Sequence, residues 1–243
     1  MKKRMAVLAE SFENNTLGLD DTFKFKCRTC GKCCKNRHDI MLSTRDLHNI
    51  ANSLGRTMQY VVERYCDVYI GESSRIPIVR LHPNSSEQAC PFLRNRRCIV
   101  HNAKPVVCAL FPLGRGIKMP MADKYAVTLE KIQPEYIFQP VSCGSQDQIH
   151  TVRNWLEQFG IPVEDEFYVL WTQTITVLSV TFCKLEDMEI PDSSKELLWD
   201  FVFSALYISY DAGKDLMSQF RDNTDKLMEI FNKIYLNEIT GGI

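Results

Sequence analysis

The sequence predicts an α+β protein: a cysteine-rich, irregular region with short strands packed on a mainly helical C-terminal half. Nine of the ten cysteines and eight of the ten prolines precede residue 150, where apolar segments are short. From residue 150 onward, apolar residues recur at helical spacing over longer stretches. We therefore expect a cysteine-cluster region over 1–149 and a helical region over 150–243, either as two domains or as one continuous domain.

Length and composition are those of an ordinary folded protein. The chain has 243 residues, of which 45% are hydrophobic and 24% are charged, so it can bury a core without help from disulfides. The formal net charge of −1 gives no general reason to bind nucleic acid or an acidic membrane. We expect no nucleic-acid partner and no membrane association, whereas a protein substrate or partner stays open.

Two segments indicate whether the protein is secreted or spans a membrane. The first ten residues hold too few consecutive apolar residues for a secretory signal, so we expect a cytoplasmic protein whose thiols stay reduced. The stretch 167–183 carries no charge, but it contains several Thr, Ser and Gln residues and is slightly short for a bilayer crossing. We expect it to form a buried helix.

The first region combines short strands with two helices. Strands are expected over 76–81, 125–129 and 136–138, each near turn or breaker residues. Ser43 followed by Asp46 resembles a capping box, and it predicts a helix that Gly55 ends. A second short helix is expected over 58–65.

The second region reads as helices throughout. Apolar residues at helical spacing predict helices over 150–159, 164–182, 194–210 and 211–235. Gly160 and Pro162 separate the first of these from the second. We interpret this helical region as a scaffold that packs on the cysteine-rich region.

The motif Cys27-x2-Cys30-x2-Cys33-Cys34 is the main chemical signal. A pair of cysteines two residues apart forms a turn that directs both sulfurs toward one metal, and Gly31 tolerates the backbone angles that such a turn needs. Three cysteines at three-residue steps with a fourth directly after them indicate a metal or redox site.

The spacing is typical of iron–sulfur ligation. Cys27, Cys30 and Cys33 match the first three positions of the ferredoxin run C-x2-C-x2-C-x3-C-P, although Arg37 occupies the fourth. A Cys-Pro pair begins at Cys90, so one hypothesis is a 4Fe–4S cubane held by the first three cysteines and a remote one such as Cys90.

Zinc is the competing ion, because all-cysteine zinc sites commonly use such pairs. A second quartet of cysteines lies further along the chain: Cys90, Cys98, Cys108 and Cys143. Cys33 and Cys34 are adjacent, which makes it awkward for both to reach one tetrahedral ion. Cys34 then serves a second metal or is a thiol poised for exchange or oxidation.

Basic residues surround the motif. They offset the negative charge that four thiolates leave around a divalent ion or an oxidised cubane, and they favour thiolates at neutral pH. These residues are Lys24, Lys26, Arg28, Lys32, Lys35, Arg37 and His38.

The chain resembles the YkgJ-type CxxCxxCC family, which is described as zinc- or iron-chelating domains. The matching segments are 25–34, the helix start at 42–47, Cys90–Leu93, Cys98–Ile99, Lys104–Pro105 before Cys108, and Phe111–Pro112. The resemblance implies metal binding by Cys27, Cys30, Cys33, Cys34, Cys90, Cys98 and Cys108, with Cys143 in the place of a more distal family cysteine. Family members usually carry Tyr and Arg where this chain has His101 and Lys104.

Three functions follow as hypotheses. The first is a non-enzymatic module or accessory factor that binds metal, with an iron–sulfur cluster preferred over zinc. The second is a protein-modifying enzyme of the flagellin lysine N-methylase type, which shares the cluster region; no glycine-rich GxGxxG motif supports a cofactor pocket for it. The third is a thiol redox sensor using Cys34. The two remaining cysteines, Cys66 and Cys183, are interpreted as buried apolar residues in helices.

Overall fold

The computed structural model describes residues 15–84, 88–117, 134–139, 141–187 and 190–239. The chain forms two compact units. Within the described part, the first unit contains the chain up to Ile40, from Pro83 to 117 and from 134 to Val169. The second unit contains Met41 to His82 and the chain from Leu170 onward.

Short strands are interspersed with helices up to residue 151, and the described elements after it are helices. In chain order they are β1 (Thr16–Leu17), β2 (Thr22–Lys26), α1 (Thr44–Leu54), α2 (Met58–Tyr65), β3 (Cys66–Ile70), β4 (Pro77–Leu81), β5 (Leu93–Arg94), β6 (Arg97–Cys98), α3 (Val106–Leu110), β7 (Leu113–Ile117), β8 (Pro134–Phe138), β9 (Ser145–Thr151), α4 (Val152–Gln158), α5 (Glu166–Asp187), α6 (Asp192–Phe203) and α7 (Leu216–Ile239). The predicted α+β class is confirmed.

The sheets are small and antiparallel. In the first unit, β1, β8 and β7 form a three-stranded sheet in that order, β2 pairs with β9, and β5 pairs with β6 as a hairpin. In the second unit, β3 pairs with β4 from Cys66 opposite Leu81 to Ile70 opposite Pro77. The strands predicted over 76–81 and 136–138 are β4 and the end of β8, whereas the one predicted over 125–129 lies outside the described residues.

An aromatic core holds the first unit together. Alternate residues of β2 point inward, so Phe23 and Phe25 are buried while their neighbours are exposed. Both rings meet the Trp155 ring edge-on, with centroid distances of 5.5 and 5.9 Å. The Trp155 indole N–H also donates to the carbonyl of Leu110 at 2.9 Å. The strand that leads into the cysteine motif and helix α3 therefore share one core.

The second unit is mainly helical, and the predicted start of α1 is confirmed. The Ser43 hydroxyl accepts from the backbone N–H of Asp46, and the Asp46 carboxylate accepts from the N–H of Ser43, which is a complete capping box. Gly55 ends α1 at φ 62°, and α2 covers the residues predicted for it. The two units differ from the expected regions, because α1 and α2 belong to the second unit although they precede residue 149. As a boundary between independently folding domains, the division at 149/150 stays a prediction.

The strand β9 corrects the predicted helix over 150–159. Residues up to Thr151 pair with β2, with His150 opposite Phe23, and the helix begins only at Val152. The Thr151 side chain accepts from the N–H of Asn154 at 3.1 Å and so caps α4. The strand was missed because its sequence, SQDQIHT, lacks alternating apolar residues.

The later helices are confirmed, with shifted ends. Helix α5 runs to Asp187, five residues beyond the predicted end, and the helix predicted over 194–210 is α6 followed by a π-helical turn at Ser204–Ile208. Only one side of α5 is fully buried, along Thr174, Leu178 and Phe182, so the prediction of a buried helix holds for that side. None of the described helices combines the length and apolar character that a bilayer crossing needs.

Candidate metal centre

The CxxCxxCC segment forms a tight loop directly after β2. Thr29 and Gly31 have positive φ values of 48° and 72°, and residues Lys32–Cys34 form one turn of 3-10 helix. The backbone N–H of Thr29 donates to the sulfur of Cys27 at 3.4 Å. The loop thus folds back on its own thiols, in agreement with the left-handed conformation predicted for Gly31.

The vicinal thiols of Cys33 and Cys34 are in contact. Their sulfur atoms lie 3.9 Å apart, and both side chains are half-buried. Their shared hydrogen bond lowers the pKa of the Cys33 thiol to about 6, and Lys104 and Arg37 act in the same direction. The same bond, together with burial and the charge of Cys33, raises the pKa of Cys34.

Backbone hydrogen bonds bring the β5–β6 hairpin against this loop. The N–H of Cys90 donates to the carbonyl of Cys34 at 2.8 Å, and the N–H of Asn36 donates to the carbonyl of Gln88 at 2.7 Å. The hairpin then returns the chain, so that Cys98 lies opposite Leu93, whose own N–H bonds the Cys90 carbonyl at 3.0 Å. Cys90 and Cys98 therefore lie at the base of one hairpin, and Cys90 is joined to Cys34 through the backbone.

Cys108 reaches the same region from helix α3. Pro105 starts this helix and accepts from the N–H of Cys108 at 2.8 Å. Cys90 and Cys108 lie close enough to Cys34 that their thiolate forms would raise the pKa of its thiol. Cys108 is thus one of the thiols that surround Cys34.

Cys143 approaches the loop from the other side. Lys26 pairs with Ser145 at the end of the β2–β9 ladder, so Cys27 and Cys143 leave the two strands at the same end. Gly144, at φ 78°, makes this approach possible, because a Cβ there would lie only 2.7 Å from the Lys26 carbonyl oxygen. The pKa of the Cys143 thiol is raised by burial and by the nearby Cys30 and Cys33.

Burial and cations act against each other on the remaining thiols. Burial raises the pKa of both the Cys90 thiol and the Cys98 thiol. Arg94 acts to lower the pKa of Cys90, and Lys104 acts to lower the pKa of Cys98. Arg37 forms an ion pair with Asp39, which raises the pKa of the guanidinium. Cys108 and Cys33 lie close enough to act in the same direction. Arg94 and Lys104 lie far from the CxxCxxCC motif in sequence, so they are not among the basic residues that flank it. Lys104 has a signal in the segment that matches the family, whereas proximity in the fold is the signal for Arg94.

The predicted cysteines fall in one unit of the fold. All eight belong to the first unit and come from four separate stretches of chain, whereas Cys66 and Cys183 belong to the second unit. Cys66 begins β3, so its predicted helical position is wrong, and burial raises the pKa of its thiol to about 12. Cys183 lies within α5 as expected, and both thiols are half-buried.

The eight thiols are the ligands that a thiophilic metal prefers, although they are not yet close enough together to hold one. Eight thiols with nearby cations match the chemistry of zinc and iron–sulfur ligation, in which thiolates replace water. In the described part of the chain, no three His, Cys, Asp or Glu side chains are already arranged closely enough to hold an ion. A bound metal would therefore draw the thiols together, and the exposed Cys27 and Cys30 have the most freedom to move.

A region of convergent thiols held by short strands defines a cysteine-cluster metal-binding protein. Residues 26–143 match the CxxCxxCC family model, described as a "Putative zinc- or iron-chelating domain". This match over residues 26–143 confirms the resemblance seen in the sequence and supports metal binding. No curated protein and no solved structure matches the chain, and the relation to flagellin lysine N-methylases stays a prediction.

Proposed function

We propose that this chain is a non-enzymatic module or accessory factor that binds an iron–sulfur cluster, or zinc as the alternative, through the cysteines of the first unit. The observation that carries the proposal is the convergence of thiols from the CxxCxxCC loop, the β5–β6 hairpin, helix α3 and the segment before β9. Bringing several thiolates together away from water costs free energy unless a metal or nearby cations compensate.

The spacing of the loop cysteines supports the preference for iron and sulfide. Cys27, Cys30 and Cys33 keep the three-residue steps of a ferredoxin run, and the N–H of Thr29 donates to a sulfur of that run. Such N–H···S bonds stabilise negative charge on thiolates and tune cluster potentials. Zinc would use the same thiols without inorganic sulfide.

Electrostatics supports either metal. Four thiolates leave about two negative charges on a zinc site or on an oxidised cubane. Arg37, Lys104 and Arg94 act on the thiols and lower this cost. The pKa of the Cys33 thiol is lowered, in part by Lys104 and Arg37, which favours the thiolate that a metal binds.

Elemental analysis of protein purified without oxygen tests the proposal. We expect a brown sample that contains iron and acid-labile sulfide, and a Cys66→Ser variant as a matched control should keep both. A Cys30→Ser variant should lose metal. A colourless zinc protein would support metal binding and overturn the preference for a cluster; a sample with neither metal would overturn the proposed function.

The methylase hypothesis makes the opposite prediction for cofactor binding. Calorimetric titration with S-adenosylmethionine should give no heat beyond dilution if the chain is a metal-binding module. Saturable binding would overturn the non-enzymatic assignment, whichever metal is found.

A further inference from the structure

We propose that the first unit carries a docking surface for an acidic protein partner, formed where the β5–β6 hairpin packs on the CxxCxxCC loop. We call this surface the basic face. Its exposed cations are Arg28, Lys32, Arg94, Arg96 and Arg97. The inference rests on the proposed function, because it names the kind of partner that would approach the same metal-binding region.

Positive charge is concentrated in the two stretches of chain that build this face. Residues 22–38 and 88–117 together contain eleven of the 29 Lys and Arg residues and none of the 30 Asp and Glu residues. The whole chain nevertheless has a net charge of −1, so the rest of the chain carries a compensating excess of acidic residues. Such an uneven distribution steers an oppositely charged partner toward one side of a protein.

Gly31 brings the two stretches into contact. A Cβ at Gly31 would lie 3.7 Å from both methyl carbons of Leu93 and 3.9 Å from the Cα of Arg96, so the hairpin lies directly on the loop at this point. Lys32 follows Gly31 in the chain, and three residues of chain keep Arg28 within about 11 Å of it. The cations of the loop and of the hairpin therefore lie on one face.

The hairpin presents its cations to solvent. Arg94 pairs with Arg97 across a two-residue turn, in which Asn95 and Arg96 have positive φ values of 50° and 61°. All four residues are exposed. In the part of the chain that the structure describes, the cations that form no ion pair include Arg28, Lys32, Arg96 and Arg97. Their charges are available to the carboxylates of a partner.

These cations exceed what the thiols need as counter-charges. Four thiolates leave about two negative charges on a zinc site or an oxidised cubane. Arg37 and Lys104, outside the basic face, already act on the thiols. Moreover, Arg94 and Arg97 lie directly opposite each other in the hairpin, and like charges in that position are destabilising. Carboxylates of a bound protein would offset this repulsion.

The apolar residues beside the cations favour a protein partner over nucleic acid. Ile99 is 51% exposed and follows Arg97 by two residues, so both lie on the outward side of the hairpin, whereas Val100 is buried. Arginines around an exposed aliphatic residue are typical of protein interfaces. Single-stranded nucleic acid is usually bound by stacking on aromatic rings. In the described part of the first unit, the large apolar residues that are exposed are all aliphatic: Ile99, Val107 and Ile149.

The basic face lies beside the most accessible thiols of the protein. Cys27 and Cys30 are exposed and flank Arg28 in the loop, and Lys32 is exposed two residues further on. A protein bound at this face would therefore cover the solvent-exposed side of the metal-binding region.

Binding of a defined acidic probe to the full-length, metal-loaded protein tests the docking surface. The probe is a fluorescently labelled glutamate decapeptide, with a neutral Gly-Ser peptide of the same length as control, and fluorescence anisotropy measures the affinity. We expect saturable binding of the acidic peptide at low ionic strength and much weaker binding at high salt, because salt screens exposed charges. The neutral peptide should not bind. No binding of the acidic peptide would overturn the inference.

Charge reversal on the hairpin tests the location. The variant R96E/R97E changes no proposed metal ligand, and it should weaken binding of the acidic peptide by about tenfold or more. The matched control R64E/K226E reverses two exposed cations of the second unit and should change the affinity by less than about twofold. Circular dichroism and metal content show that each variant is folded and loaded. Equal affinities in the two variants would contradict the assignment to the basic face. Should the double reversal not fold, R97Q is expected to weaken binding in the same direction.

Two comparisons identify the class of partner. Tighter binding of a thymidine decanucleotide than of the acidic peptide would assign the face to nucleic acid and overturn the choice of a protein. A salt-sensitive dimer of the wild-type chain that R96E/R97E abolishes would assign the face to a second copy, and it would overturn the choice of a different protein. Metal content separates this inference from the proposed function: a metal-loaded protein that does not bind the acidic peptide overturns the docking surface alone, whereas a protein without metal overturns the proposed function.

Discussion

Arg115 of β7 donates from Nη1 to Asp165 Oδ2 at 3.0 Å, and both side chains are buried, with exposed fractions of 7% and 2%. Asp165 also accepts from the N–H of Tyr168 at 3.0 Å at the start of α5, and the guanidinium lies 3.7 Å from the centre of the Tyr168 ring. This ion pair joins a strand of the three-stranded sheet to a helix start within the first unit.

Removing one partner of that pair should destabilise the first unit strongly. We expect Asp165→Ala to reduce the free energy of unfolding by about 3–5 kcal/mol, because it leaves the Arg115 charge buried and unpaired. Chemical denaturation measures this loss. Asp20→Ala removes a pair with Arg153 at the surface and should leave the unfolding curve unchanged. The double variant Arg115→Met with Asp165→Leu should recover most of the lost stability; equal losses in single and double variants would contradict the explanation.

Gly144 should tolerate no side chain. Gly144→Ala would place a Cβ 2.7 Å from the Lys26 carbonyl oxygen and 2.6 Å from the Phe25 ring, in addition to requiring a positive φ. We expect the free energy of unfolding to fall by more than about 2 kcal/mol and metal capacity to decrease. Gly160→Ala is a matched control, since Gly160 has φ 63° with nothing within 4 Å, and it should cost about 1 kcal/mol. Similar losses in both variants would show that the close approach at Lys26 does not matter.

The indole of Trp155 should affect both stability and metal retention. Trp155→Phe keeps the ring contacts but leaves the buried Leu110 carbonyl without its donor, at a cost of about 1–3 kcal/mol. Because Leu110 ends the helix that carries Cys108, chelators should also remove metal faster. Trp199→Phe removes a similar bond to the Arg75 carbonyl in the second unit. It should reduce stability without changing the rate of metal loss, and an equal change in that rate would argue against the coupling of Trp155 to Cys108.

The capping box of α1 should contribute to the second unit alone. Ser43→Ala removes the acceptor for the Asp46 N–H, and we expect the free energy of unfolding to fall by about 1 kcal/mol. Glu196→Ala, on the exposed side of α6, should be neutral. Metal content should be the same in both variants. A loss of metal on cap removal would contradict the assignment of α1 to a unit without ligands.

Metal removal should loosen the first unit selectively. Binding adds stability only to the state that holds the metal, so chelation should increase amide hydrogen exchange in residues 27–36 and 88–108. Helices α1 and α2, in the second unit, should keep their protection. Mass spectrometry of exchanged peptides measures both regions in one experiment. Uniform deprotection of both units would show that the metal stabilises the whole chain instead.

Local signals in the sequence determined much of this protein. The Ser43–Asp46 spacing defined α1, Gly55 ended it, and apolar periodicity located α5, α6 and α7, because capping and helical spacing depend on residues a few positions apart. The eight cysteines were likewise recognised from spacing and from resemblance to the family. Residues with no local pattern were missed: β9 has a single aliphatic residue, Ile149, and its pairing with β2, the strand that carries Phe23, joins residues far apart in sequence.

Only the tertiary structure decided which cysteine segments lie near one another. Spacing placed Cys90 with the first three cysteines of the motif, whereas the fold joins Cys90 to Cys34 through a backbone hydrogen bond and brings Cys143 to Cys27. It also added Lys104 and Arg94 to the charges around the thiols. The physical reason is that metal ligands and their counter-charges act through distances in space. Backbone contacts and strand pairing between residues far apart in the sequence set those distances, and no local pattern in the sequence records them.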